Sequence, residues 1–513
     1  MKYVSGVGVL SVLGVTLAVA CSNTPPPDSP GTGGSDDSGD SGGGDGNGES
    51  GATSTGGKSS SGGSSSSGSG GGSFQEPIVD EEGWTVLEIA DGAKTIYVST
   101  SDGSDDNSGE SEDDPVATIA KGIGFLEDGD WLLLKRGDTF QEGIRAWVNG
   151  SSTEHRSVIG AYGPLEDPRP IIDPGGGPGI LMQGGGEKDT LEHVALVSLH
   201  IRQSQSIVGD GNYSAQRDSD GIRVLRPGED LLIEDCMIES FSTDFSIQGE
   251  GDGFFNLTIR RSEIIDAYES PDGEHSQGIY LSQTHYALIE ENIIDHNGFN
   301  DDTGAEKTIF NHNVYIQGDS PNPTVLNNII ARGSSNGYQL RSAGRAEGNI
   351  LIENSIAGFV ANGTVQDDTV MIQKNNVVVH PWIEALGDMG ARGWGLALVY
   401  DSKYVFPTEP VDFTGNIIAH GESPASNAID VPNDYATVTV DLDNIVYDWG
   451  NSADEGGPFS DPDRTIPSYN ESLGGDASIE AFLEAARQMR KGYWNEDYTA
   501  EKVRAYFVEG FSE

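Results

Sequence analysis

Short stretches that alternate polar and aliphatic residues recur through the middle of the chain, without a helical periodicity. One recurring phrase, a polar residue followed by aliphatic ones, begins at Asp235, Ser262, Glu291, Asn327, Glu353, Asn375 and Gly415. A second β-patterned segment lies between most of these phrases, at residues 221–225, 245–248, 277–282, 312–317, 336–341 and 394–400. Such a repeat cannot bury its apolar side chains alone, so neighbouring repeats must stack on one shared core. The pattern therefore predicts an all-β, parallel β-helix solenoid.

Asparagine recurs at one corner of this repeat. Its side chain can hydrogen-bond along a stack and the residue tolerates left-handed backbone angles, so a column of Asn suits a solenoid corner. The ends of the solenoid need covers, because unpaired sheet edges promote aggregation. Residues 115–126 and 479–490 have helical spacing and are predicted to form helical caps at the two ends.

Aligning three successive segments separates core positions from outward positions, because side chains alternate between the two faces of a strand. The predicted core positions are Ile279, Leu281, Val314, Ile316 and Leu340. The predicted outward columns are Tyr280, Tyr315 and Gln339, and beside them Ser282, Gln317 and Arg341. Strands in a stack lie about 4.8 Å apart, so these six side chains can line one groove. A polar surface without a function is the alternative.

The same region differs from the rest of the chain in charge. The chain has 29 Lys and Arg against 82 Asp and Glu, a net charge of −53, which disfavours nucleic acid as a partner. Residues 303–346 contain the acids Glu306 and Asp319 and the cations Lys307, Arg332, Arg341 and Arg345. This local positive excess favours an anionic ligand, and pairing of the cations with neighbouring carboxylates is the alternative.

The amino terminus predicts delivery to the cell surface. Residues 1–21 form a signal peptide with one Lys and an apolar run. Its end, LAVAC, resembles the lipobox of bacterial lipoproteins, which implies lipidation of Cys21 and a lipid anchor in the membrane. Ser22 follows instead of Asp, which favours the outer membrane or cell surface. Residues 22–73 are Gly, Ser and Asp-rich and are predicted to be a disordered tether, since they bury too little apolar surface to order the backbone.

Residues 97–140, with the stretches ATIAK and LKRGDTF, resemble the opening of secreted bacterial right-handed parallel β-helix proteins of the pectate-lyase-like superfamily. The Asn-rich phrases extend the resemblance to Ile418, and GYWNEDYTA at 492–500 is similar to endings in this group. The resemblance implies a right-handed solenoid, which we expect over residues 74–448, followed by a capping segment with helices over 449–513. Members are mostly polysaccharide lyases, glycoside hydrolases and sugar epimerases.

The outward columns carry the residue types that β-elimination across a uronic acid needs. Arg341, with Gln317 or Asn313, is predicted to bind and neutralise the substrate carboxylate. Tyr315 or His312 is predicted to take the C5 proton, and Lys307 is a second candidate base. A buried core histidine is the alternative for His312. The other predicted substrate-binding residues are Tyr280, Gln339, Arg332, Arg345 and Trp382.

The leading hypothesis is a monomeric, surface-anchored lyase that cleaves an anionic polysaccharide. Residues Asn336, Gly337 and Arg341 are loosely similar to the Asn-Gly-x-Glu-x-x-Arg segment of alginate and chondroitin lyases. Gln339 stands where that segment has Glu, so neither calcium nor another cofactor is predicted. A glycoside hydrolase is an alternative, with Asp244, Glu274, Asp295 and Asp301 as candidate carboxylates. An epimerase and a non-catalytic glycan-binding or adhesive protein are the others.

Overall fold

The strands of the computed structural model are all short and are paired in parallel along the chain. The structure describes residues 76–183, 190–214, 218–269, 275–361, 363, 370–383, 386, 392–399, 411–421, 428–430, 438–440, 443–450 and 456–512. The predicted signal peptide and tether, with Cys21, lie outside these residues. The described part belongs to one compact unit, Gly72–Glu513. Within it, no helix combines the length and the apolar composition needed to cross a membrane.

Over the described residues the strands stack into three parallel sheets, of thirteen, eleven and nine strands. Strands are numbered in chain order. Sheet 1 contains β1 (Thr95–Val98), β2 (Trp131–Lys135), β4 (Ser157–Tyr162), β7 (Leu191–Val197), β10 (Gly228–Glu234), β13 (Phe254–Arg260), β16 (Thr284–His285), β17 (Leu288–Glu290), β20 (Thr324–Leu326), β23 (Gly344–Glu347), β26 (Met371–Lys374), β29 (Val411–Thr414) and β32 (Val438–Val440). Sheet 2 contains β3 (Thr139–Phe140), β5 (Ile171–Ile172), β8 (His200–Arg202), β11 (Met237–Glu239), β14 (Glu263–Ile265), β18 (Ile293–Asp295), β21 (Ile329–Ala331), β24 (Ile350–Ile352), β27 (Val377–Val379), β30 (Ile417–Gly421) and β33 (Ile445–Trp449).

Sheet 3 contains β6 (Ile180–Gln183), β9 (Asp220–Leu225), β12 (Thr243–Gln248), β15 (Gln277–Ser282), β19 (His312–Ile316), β22 (Asn336–Leu340), β25 (Ile356–Ala361), β28 (Trp394–Val399) and β31 (Ile429–Asp430). The helices are α1 (Ile119–Ile123), α2 (Ile466–Ser472), α3 (Ile479–Ala486) and α4 (Ala500–Gly510), with 3-10 turns at Ser204–Ser206 and Glu496–Tyr498. Through the middle coils the chain visits the three sheets in turn, so each coil adds one strand to each sheet. The predicted parallel β-helix is confirmed.

The core runs along the inside of the three sheets. All five predicted core residues are fully buried: Ile279, Leu281, Val314, Ile316 and Leu340. Burying an aliphatic side chain of this size stabilises the fold by about 1.5 to 3 kcal/mol, which explains why the alternation sets the strand register. Tyr338 also lies in the core, where its hydroxyl donates a hydrogen bond to the side-chain oxygen of Gln373.

Asparagine side chains bond along the corner between sheets 1 and 2, as predicted. This asparagine ladder consists of Asn292, Asn328, Asn349, Asn376, Asn416 and Asn444. Each Oδ1 accepts a hydrogen bond from the backbone N–H of the preceding rung at 3.0 Å. The left-handed backbone angles occur one residue earlier, as at Glu291 (φ 53°) and Asn375 (φ 54°), where the chain turns the corner. The ladder therefore satisfies buried donors that the strands themselves leave unpaired.

Two sheets have outer faces covered by other parts of the chain. Leu87 packs on outward residues of sheet 1, namely Val158, Ala195 and Leu232. Helices α2, α3 and α4 pack on the outward residues of sheet 2. These C-terminal helices lie along a side of the solenoid, whereas α1 packs against the first strands of sheet 1. A run of polar and aromatic side chains remains on the outer face of sheet 3.

Candidate functional site

The predicted outward columns lie side by side on sheet 3. Tyr280 is in register with Tyr315, and Tyr315 is in register with Gln339. Tyr280 and Tyr315 are half-buried, and their ring centroids are 5.7 Å apart. Because the strands are parallel and adjacent, this face presents neighbouring side chains from three successive coils.

Arg341 connects the two columns. Its Nη1 donates to the hydroxyl oxygen of Tyr315 at 3.0 Å and to Oε1 of Gln317 at 3.3 Å. Gln317 in turn lies 3.4 Å from the hydroxyl of Tyr280. We name the set Tyr280, Tyr315, Gln317, Gln339 and Arg341 the sheet-3 groove. Its guanidinium places a positive charge beside a phenolic oxygen that can transfer a proton.

Arg341 is only 5% exposed, because other segments lie against it. A Cβ added to Gly363 would lie 3.0 Å from Cβ of Arg341 and 3.0 Å from Cα of Gly318. This close approach leaves little room for a larger residue at position 363. Partial exclusion of water strengthens the electrostatic interactions of the guanidinium.

His312 lies beneath Tyr315 and is 4% exposed. The two ring centroids are 5.1 Å apart, and Nδ1 of His312 accepts a hydrogen bond from the backbone N–H of Asn336 at 3.4 Å. Burial lowers the pKa of His312 to about 3, and the charge of Arg392 acts in the same direction. His312 is therefore neutral at neutral pH and supports the Tyr315 ring, while Tyr315 is the better-exposed proton-transfer group.

The remaining groove residue and the groove edge are held by amide side chains. Gln339 is 6% exposed, and its Oε1 accepts from Nδ2 of Asn336 at 3.1 Å. Gln277 donates to the carbonyl oxygen of Phe310 at 2.7 Å and accepts from the N–H of His312 at 2.9 Å. Gln277 thus fastens the insertion before β19 to the edge of the groove.

Asn313 was predicted to bind substrate, and this prediction is wrong. The residue is fully buried, and its Nδ2 donates to the carbonyl oxygen of Ala331 at 2.8 Å and to Oδ1 of Asn354 at 3.1 Å. Its Oδ1 accepts from Asn297 at 2.9 Å. Asn313 therefore belongs to a second line of buried amides at the corner between sheets 2 and 3.

Two predicted binding arginines lie on other faces, so their assignment to the groove is also wrong. Arg332 follows a strand of sheet 2 and pairs with Asp295 at 2.6 Å. Arg345 lies in β23 of sheet 1 and pairs with Glu347. Both residues are near Arg341 in sequence, but the corners of the solenoid turn them away from it. The neighbouring-carboxylate alternative holds for these two cations.

Lys307 and Trp382 lie together outside the hydrogen-bond network of the groove. Nζ of Lys307 is 4.5 Å from the ring centroid of Trp382 and 4.6 Å from that of Phe299. The indole N–H of Trp382 donates to the carbonyl oxygen of Gly333 at 3.0 Å. These cation–π contacts brace two insertions against each other, and nothing in them shows Lys307 acting as a base.

Two of the carboxylates that the hydrolase alternative would use are fully buried. Asp244 is inaccessible, and burial raises its pKa well above the usual range. Asp295 is also inaccessible and binds Arg332 and Arg487. Asp301 is exposed, and Glu274 lies outside the described residues. In the described part of the chain, no group of three or more His, Cys, Asp or Glu side chains is arranged to hold a metal ion.

Sequence reasoning missed Arg392. Its guanidinium lies 5.7 Å from the ring centroid of Trp394, and its charge acts on His312 more strongly than that of Arg341. Arg392 precedes β28 in an insertion without β pattern, so no alignment of columns could place it. The only available signal was its position at the end of a long insertion, where solenoids build binding walls.

Comparisons with known proteins agree with the sheet arrangement. A family model described as a right handed beta helix region matches residues 199–377. No curated protein matches the sequence significantly. Among solved structures, the pectate lyase Pel9A is 13% identical over 72% of this chain and 84% of that one, with a TM-score of 0.44.

Two further solved structures are similar at the same low level. An alginate lyase from Paenibacillus sp. str. FPU-7 is 14% identical over 69% of this chain and 98% of that one, with a TM-score of 0.37. A GH136 lacto-N-biosidase from Eubacterium ramulus is 14% identical over 69% of this chain and 68% of that one, with a TM-score of 0.37. With its three parallel sheets, the chain is an all-β, right-handed parallel β-helix.

Proposed function

We propose that this protein is a polysaccharide lyase that cleaves an anionic, uronate-containing polysaccharide in the sheet-3 groove. The observation that carries the proposal is the contact of Arg341 with the hydroxyl of Tyr315 and with Gln317. A guanidinium binds a carboxylate through two parallel hydrogen bonds, so a uronate is the sugar that suits this face. The lyases among the structurally similar proteins show that the fold can carry such sites, but the assignment to this chain rests on its own residues.

The groove residues suit the steps of β-elimination. Arg341 binds and neutralises the uronate carboxylate, which stabilises the negative charge that develops when the C5 proton is removed. The phenolic oxygen of Tyr315, deprotonated beside Arg341, takes that proton. The C4–O bond breaks as the C4–C5 double bond forms, and Tyr315 returns the proton to the departing oxygen. His312 positions the Tyr315 ring from below, and Tyr280 and Gln317 hold the hydroxyl groups of the sugar.

The proposal includes a lipid anchor at Cys21. A Gly and Ser-rich tether of about 50 residues has a reach of roughly 40 Å, enough to hold the solenoid clear of the lipid. The protein would then meet its polysaccharide at the bacterial cell surface as a monomer. No nucleic acid partner and no cofactor is part of this proposal.

Non-catalytic glycan binding is a second candidate function. The two tyrosine rings at 5.7 Å from each other offer apolar faces on which sugar rings can pack. This role would use the same groove without the proton transfer. It differs from the lyase in predicting bound but intact polysaccharide.

The test uses the full-length chain mixed with alginate, pectin or a glycosaminoglycan, followed by absorbance of the unsaturated uronate product. Arg341→Ala should lower turnover by about 100- to 1000-fold, as expected for loss of a charge-stabilising donor. Arg345→Ala is the matched control, because it removes an arginine close in sequence that lies on sheet 1. Tyr315→Phe should lower kcat by about 100-fold or more and leave binding nearly unchanged.

Three outcomes would count against the assignment. Parental turnover in Arg341→Ala and Tyr315→Phe would show that the reaction occurs elsewhere. An equal loss in Arg345→Ala would point to a general effect of charge. Tight binding of an anionic polysaccharide that stays intact would favour the second candidate function.

A further inference from the structure

A second group of cations lies at the corner between sheets 1 and 2, away from the sheet-3 groove. Arg136 directly follows β2, and Arg169 directly precedes the Pro170 that leads into β5. Arg490 comes from the segment after α3 and donates from Nη1 to the carbonyl oxygens of Leu165 and Asp167, both at 3.0 Å. These bonds fasten the C-terminal segment to the loop that precedes β5.

The charge of Arg169 is matched inside this group. Its guanidinium binds Asp235 at 2.6 Å and Glu263 at 2.6 Å, and all three side chains are nearly inaccessible. Asp235 also accepts from the backbone N–H of Lys491 at 2.9 Å. The carboxylates closest to the cluster are thus already bonded to Arg169 and to the C-terminal segment.

Arg136 differs from Arg169, because no ion pair joins it to a carboxylate within the described part of the chain. It is 5% exposed, and its Nη1 has no hydrogen-bond partner among the described residues. Burial lowers the pKa of Arg136, and the charges of Arg169 and Arg490 act in the same direction. A buried guanidinium without a hydrogen-bonded partner is costly, so the site favours an added anion.

We propose that Arg136 forms the base of a binding site for a small inorganic oxyanion of the sulfate or phosphate type. The planar guanidinium matches two oxygens of such an ion. Arg169 and Arg490 add positive potential at the same place, in a chain whose overall charge is −53. The low exposure of Arg136 excludes a polysaccharide chain and limits the ligand to a small ion. Bound there, the ion would join the first coils to the C-terminal segment.

The site predicts a stabilisation that saturates with the concentration of sulfate or phosphate. Ligands that bind only the folded state raise Tm in this way, whereas the general salting effect of sulfate grows steadily with concentration. The experiment measures Tm of the full-length chain at constant ionic strength while sulfate, and in a second series phosphate, replaces chloride. The parent and Lys135→Met should show the saturable rise, and Arg136→Met should not.

Lys135→Met is the matched control because it removes the adjacent cation, which pairs with Asp102 and not with this cluster. Arg136→Lys keeps the charge without the guanidinium fork and should bind the ion more weakly than the parent. It also provides a reading if Arg136→Met does not fold. The proposal is overturned if the parent shows no saturable rise with either ion, or if the Arg136 variants retain the full rise.

Discussion

Replacing Asn349 by Ala removes a central rung of the asparagine ladder. In the structure, Oδ1 of Asn349 accepts from the backbone N–H of Asn328 at 3.0 Å and from its Nδ2 at 3.0 Å. Nδ2 of Asn349 donates to the carbonyl oxygen of Val325 at 2.9 Å and to Oδ1 of Asn376 at 3.0 Å. The side chain is completely buried, so water does not replace these partners without local opening.

The size of the effect follows from the groups that are left behind. The backbone N–H of Asn328 and the carbonyl oxygen of Val325 would both lose this bonding partner in the interior. Each buried polar group without a partner costs about 1 to 3 kcal/mol, so we expect a loss of about 2 to 6 kcal/mol in the free energy of unfolding. Asn328 Nδ2 keeps its bond to the carbonyl oxygen of Ile289, so it adds little.

Urea unfolding followed by far-UV circular dichroism measures this loss, and Asn444→Ala is the matched control. Asn444 makes the same contact with Asn416 at 3.0 Å, but it is half-buried at the end of the ladder, where water can reach the freed groups. The control should therefore lose less than half as much. A loss below about 1 kcal/mol in Asn349→Ala, or an equal loss in both variants, would refute the assignment of this stability to the ladder.

Three other predictions concern the whole chain. Palmitate labelling in a bacterial host should mark Cys21, and Cys21→Ala should leave the protein unprocessed or released; unchanged membrane fractionation would contradict the anchor. Arg487→Ala breaks the contacts of the C-terminal segment with Asp266 and Asp295 and should lower Tm while calorimetry still shows one transition, since the parts share packed surfaces. Two separated transitions in the parent would argue against a single cooperative unit. Because the folded-state pKa of His312 is lowered to about 3 from 6.5, stability should fall as pH drops below 6.5, by about 2 kcal/mol at pH 5. His312→Gln should remove that part of the pH dependence, and an unchanged slope in urea titrations at several pH values would contradict the buried neutral state.

The sequence alone determined the repeat, the core positions and the two columns around Tyr315. These features are local: alternation fixes which side chains face the core, and parallel stacking then brings equivalent positions into register. The contact between Arg341 and Tyr315 is a consequence of that register. The corner position of the asparagine ladder is visible in the same way, since an Asn at each coil can bond only along the stack.

Only the tertiary structure decided which candidate residues share a face. Arg332 and Arg345 flank Arg341 in sequence, yet the turns between sheets place them on sheets 2 and 1. The burial of His312 and Arg341 likewise depends on segments far along the chain. Position on a strand is set by local alternation, whereas exposure and charge pairing depend on which distant segments pack against that strand. Arg487 illustrates this, because it meets its carboxylates only after the C-terminal segment has folded back along sheet 2.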